Sequence, residues 1–64
     1  MAQTRIQEVR QAAGLSQRQL AEKAGISIRT LQHYEIGDKD LKKAAVMTVI
    51  ALAEALSCDI NDIL

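Results

Sequence analysis

Arg29, Gln32 and His33 stand three and four residues apart, a spacing that places them on one face of an α-helix. Arg carries a planar fork of donors and Gln sets an acceptor beside a donor, so such a face suits paired hydrogen bonds to a polar partner. Ser27 and Ile28 lead into it. The chemistry is recognition rather than bond-breaking. The chain has no Gly-rich phosphate loop and no nucleophile at a recognisable spacing from a matched base. One His and one Cys are too few for a metal site. No enzymatic activity, cofactor, metal or small-molecule substrate is therefore expected, and Cys58 reads as a small packing residue.

The segment that must position this face runs from Ser16 to Gly37, SQRQLAEKAGISIRTLQHYEIG, and reads as two short helices joined by a tight turn at Gly25. Ser16 and Gln19 form a capping box, and Leu15 and Leu20 flank the cap as a hydrophobic staple. Leu20, Ala21 and Ala24 make the inward face, with Gln17, Arg18, Glu22 and Lys23 outward. Gly25 suits the left-handed position that ends a helix. Ser27 caps the next helix, with Ile26 and Leu31 as its staple. Leu31 and Tyr34 continue the apolar stripe, which leaves Ile28, Arg29, Gln32 and His33 outside. Ile28 and Ile36 are apolar where a solvated face calls for polar groups.

Thr4 and Gln7 predict the cap of a first helix, with Ile6, Val9 and Ala13 as its stripe and Gly14 as its stop. Arg10 lies close enough to that stripe to need a partner if it is drawn inward. After Gly37 comes a charged loop, DKDLKK, anchored by Leu41. A fourth helix is expected from about Ala45 to Leu56, with Val49, Leu52, Ala53 and Leu56 on its core face. Val46, Met47 and Ile50 are left over; core is the commoner place for such residues, and a protein interface the other. Asp59 caps a last short turn in which Ile60, Ile63 and Leu64 close the core.

Sixty-four residues with no Pro, Trp or Phe, one Tyr and an abundance of strong helix formers predict a single all-α domain over residues 1–64. The longest apolar run, Ala44 to Ala53, falls short of the roughly 20 residues that span a bilayer. With no uninterrupted apolar stretch at the N-terminus and one cysteine, the expected location is the cytoplasm. Net charge is zero but unevenly placed. All eight Lys and Arg lie in residues 1–43 against five acids, while the rest of the chain carries three acids and no base. One end can face phosphate and the other cannot.

GLSQRQLAEKAGIS, then Leu31, Glu35 two residues before Gly37, and the tail LAEALSCDINDIL together resemble the Cro and phage-repressor, or XRE-type, helix-turn-helix family across nearly the whole chain. The resemblance implies a compact five-helix lambda-repressor-like DNA-binding domain and a transcriptional regulator. Its third helix, about residues 27–36, would read the major groove, and a homodimer would sit on a palindromic operator in double-stranded DNA. Gln17, Ser27, Ile28, Arg29, Gln32 and His33 match family positions that meet bases. Arg29 suits guanine, Gln32 adenine and Ile28 a thymine methyl. Gln17, Lys39, Lys42 and Lys43 are candidates for phosphate. Arg10 and Glu35 match a pair that forms an internal salt bridge in some members. Ile36 departs from the family pattern, where many relatives carry a polar or basic residue, and so does the lack of a proline before helix four. A second reading keeps the fold but gives it a partner protein, as a protein-interaction module or antitoxin-like subunit, on the strength of the neutral charge, Ile28, Ile36 and the apolar fourth helix.

Overall fold

The computed structural model describes residues 4–64, and within them five helices and no strand form: α1 (Arg5–Ala12), α2 (Gln17–Ala24), α3 (Ile28–Glu35), α4 (Val46–Ala55) and α5 (Ile60–Ile63), with a single 3-10 turn at Leu41–Lys43. The helix starts follow the expected caps. Thr4 Oγ1 accepts from the Gln7 N–H at 3.4 Å. Ser16 Oγ accepts from the Gln19 N–H at 3.0 Å, while Gln19 Oε1 accepts from the Ser16 N–H at 2.8 Å. Ser27 Oγ accepts from the Thr30 N–H at 3.1 Å. Each bond satisfies a backbone donor that a helix start leaves without an intrahelical partner. At the start of α5 the Asp62 carboxylate accepts from the Asp59 N–H at 3.1 Å.

Three helices end in the same way. After α2, Gly25 takes φ +74° and donates to the Glu22 carbonyl, while Ile26 donates to Ala21. This is the paired bonding of a Schellman motif, which consumes two otherwise free carbonyls. Gly14 and Leu15 repeat it after α1 on Gln11 and Arg10. Ser57 and Cys58 repeat it after α4 on Glu54 and Ala53, with Ser57 at φ +55° in the position that glycine holds elsewhere.

The core is the shared apolar face of these elements. Ile6, Leu20, Leu31 and Leu52 are fully buried, and Ala21, Leu41, Val49, Ala53, Leu56 and Ile63 complete the cluster. Burying each of the four largest is worth about 1.5–3 kcal/mol relative to exposure. Leu41 holds the charged loop down as expected. α2 packs on α3 and α4, α1 on α3 and α5, and α4 on α5. The small Ala21 and Ala53, both buried, suit the close packing of α2 on α4.

Four expectations about apolar residues need correction. Ala13 is exposed, because α1 stops at Ala12 and Ala13 is its C-cap. Ile60 lies at the first position of α5 and stays 38% exposed, so Ile63 and the partly buried Leu64 close that end without it. Val46 and Met47 are 68% and 75% exposed, since the core face of α4 is already complete with Val49, Leu52, Ala53 and Leu56. Ile50 is half-buried. Without a capping side chain at Ala45, α4 starts at Val46 and ends at Ala55, one residue inside the expected range at each end. Among the described residues no helix is long and apolar enough to cross a membrane.

Candidate nucleic-acid interface

The outer surface of α3 is held from below by a buried ion pair. Glu35, at the last position of α3, is 2% exposed and is the one buried charged residue among those described. Arg10 of α1 donates Nε to Glu35 Oε2 at 2.7 Å and an η nitrogen to Oε1 at 3.1 Å. Its other η nitrogen donates to the Leu15 carbonyl at 2.8 Å. The guanidinium thus joins α1, the loop before α2 and the end of α3. Thr4 Oγ1 donates to the backbone carbonyl of Glu35 at 2.9 Å, so the residue that caps α1 also ties it to α3. No buried side-chain polar atom among the described residues lacks a partner. That condition lets a charge sit in a small core at all.

From this pair a polar chain runs to the surface. Gln17, half-buried at the first position of α2, donates Nε2 to Glu35 Oε1 at 3.1 Å. Its Oε1 accepts from Gln32 Nε2 at 3.2 Å. Gln32 itself is exposed, and so is Arg29, which makes no ion pair among the described residues. Ile28 is 40% exposed at the head of the helix. Arg29, Gln32 and Ile28 therefore share the open side of α3, while Leu31 is buried beneath.

Two further candidates are engaged locally. Ser27 Oγ, besides capping α3, donates to Thr30 Oγ1 at 2.8 Å. His33 Nδ1 lies 2.8 Å from Asp38 Oδ2, and the His33 carbonyl accepts from the Lys39 N–H at 3.2 Å, so the loop after Gly37 folds back on α3. Lys39, Lys42 and Lys43 are exposed on that loop, with the Asp40 carboxylate accepting from the Lys42 N–H at 3.0 Å to fix the 3-10 turn. The roles of Thr4, Thr30 and Asp38 were not apparent from the sequence. Thr4 reads as a cap and nothing more, and Asp38 meets His33 only because the chain reverses at Gly37. Cys58 is half-buried at the far end of α4, where burial and then the carboxylates of Asp62 and Asp59 push its thiol pKa up and make it a poor nucleophile.

Comparisons with known proteins agree with this geometry. A family model described as helix-turn-helix matches residues 6–63. The crystal structure of the restriction-modification controller protein C.AhdI from Aeromonas hydrophila superposes with a TM-score of 0.83, at 28% sequence identity over 94% of this chain and 86% of that one. No curated protein sequence matches the chain. With α2, the Gly25 turn and α3 in place and the family match running through nearly all of the described residues, the chain belongs to the helix-turn-helix family of the Cro and phage-repressor type.

Proposed function

We propose that this chain is a sequence-specific transcriptional regulator that lays α3 in the major groove of double-stranded DNA and acts as a homodimer on a palindromic operator. The carrying observation is the open side of α3, where Arg29 and Gln32 are exposed on a helix whose underside is pinned by Leu31 and the Arg10–Glu35 pair. An α-helix fits the major groove, where the base edges present distinct donor and acceptor patterns. In this reading Arg29 takes guanine, Gln32 adenine and Ile28 a thymine methyl, with Ser27 and His33 at the margins of the contact. Gln17, Lys39, Lys42 and Lys43 take phosphates. The surplus of base in residues 1–43 supports this orientation. The exposed Val46 and Met47 on α4 are the proposed dimer surface. A module this small gains its affinity by doubling its contacts on two half-sites. The likeness to a restriction-modification controller protein supports a regulatory role, and the proposed location is the cytoplasm.

Titration of a randomised duplex library, followed by sequencing of the bound fraction, is expected to enrich a two-fold symmetric site. Absence of enrichment at low salt rejects the proposal. Salt separates it from a protein-interaction role: DNA binding weakens steeply as salt rises, because condensed counterions are released, and an apolar contact does not.

A further inference from the structure

The chain of bonds from Arg10 to Gln32 has a polarity that side-chain chemistry alone dictates. A carboxylate paired with a guanidinium only accepts hydrogen bonds. The group that Gln17 turns toward Glu35 must then be its NH2, as the 3.1 Å contact from Nε2 to Oε1 has it. The Gln17 oxygen is left facing α3, and it in turn demands a donor from Gln32, met by Nε2 at 3.2 Å. An exposed glutamine on its own turns its amide over at little cost. Here one face of the Gln32 amide is assigned by a charge buried two side chains away.

We infer that Glu35, acting through Gln17, is a positioning residue that sets the order of acceptor and donor on Gln32 and thereby fixes which strand its adenine must occupy. The inference rests on the DNA-binding reading above. Adenine shows N7 as acceptor and the N6 amino group as donor in the major groove. Gln32, with one N–H spent on Gln17, keeps Oε1 to accept from N6 and its second N–H to donate to N7. Turned over, the amide presents the same two groups in reverse order, which suits a base pair read from the other side. Glu35 touches no base in this scheme. The ion pair with Arg10 and the amide of Gln17 make the selection before DNA arrives, so the bound amide pays no entropy of choosing an orientation.

The test is a base-preference profile from the randomised library for the unsubstituted chain, Gln17→Met, Gln32→Ala and the double variant. The position read by Gln32 is the one whose preference disappears in Gln32→Ala. There the unsubstituted chain is expected to favour A·T over T·A by about tenfold, a typical value for one paired contact. Gln17→Met is expected to remove that strand preference, and to do nothing more at this position once Gln32 is already Ala. Equal weakening on all sequences, with the strand preference intact, overturns the inference and leaves Gln17 a phosphate contact only. No enrichment with the unsubstituted chain overturns the DNA-binding reading, and this inference with it. A measurement on the unsubstituted free protein keeps the question open to decision if Gln17→Met does not fold. Nitrogen-15 relaxation of the Gln32 side-chain amide is expected to report restricted motion against that of the exposed Gln11. Equal mobility overturns the inference.

Discussion

Arg29 and Glu35 lie on one eight-residue helix and illustrate opposite fates of a charge. Arg29 stays exposed and without an ion pair among the described residues, so its donors are available to a partner. Arg29→Ala is expected to cost about 1–3 kcal/mol of binding on the preferred operator and to relax one base pair, with the thermal melt unchanged. A loss that is equal on all sequences reassigns Arg29 to phosphate. Glu35 is consumed by the fold. Arg10→Ala is expected to cost about 3–5 kcal/mol in chemical denaturation, because it leaves the Glu35 carboxylate buried without its countercharge. Replacing both partners by apolar residues, as in Arg10→Met with Glu35→Leu, is expected to recover much of that loss. Recovery in the double variant, and not the single loss alone, separates the stranded charge from simple loss of packing.

The helices were legible because their ends are written in short local codes. Ser16 with Gln19, Ser27, and a glycine after each of the first three helices place the boundaries from a few neighbouring residues. The end of α4 was not legible in the same way. Ser57 adopts φ +55° and carries the same closing bond pattern as Gly14 and Gly25, although serine normally signals a cap or an ordinary turn. A left-handed non-glycine residue costs roughly 1 kcal/mol. Ser57→Gly is therefore expected to raise the melting temperature by about 4–8 °C, as 1 kcal/mol does in a domain of this size. An unchanged or lower melting temperature in a calorimetric scan shows that Ser57 is not strained. Ala13 and Ile60 were misplaced for a related reason. Both sit within a residue of a helix end, where apolar periodicity no longer says which way a side chain faces.

At the scale of the whole molecule, the described chain measures 25 × 24 × 22 Å between its Cα extremes, comparable with the roughly 34 Å that separates half-sites one turn apart on DNA. Two copies meeting through α4 are the proposed assembly. Met47→Glu, at a side chain 75% exposed, is expected to leave the fold intact and shift the light-scattering mass toward the monomer, with a larger loss of affinity for a full palindrome than for a half-site control. An unchanged dimer mass moves the interface away from α4, and a monomer at every concentration of the unsubstituted chain rejects the dimer. What the amino-acid sequence by itself determined was the all-helical class, the order of the helices, the buried faces of α2 and α3 and the family. Caps, glycine stops and apolar spacing act between residues a turn or so apart, and their meaning does not depend on the rest of the chain. Beyond the Arg10–Glu35 pair that the family resemblance implied, only the tertiary structure decided how polar residues of different helices are joined. Gln17, Gln32 and Glu35 are up to 18 residues apart, and Thr4 and Glu35 are 31 apart. Their bonds exist because α1, α2 and α3 are packed around one core. A glutamine that reads as a surface residue in the sequence becomes, in the fold, the link between a buried charge and the open side of α3.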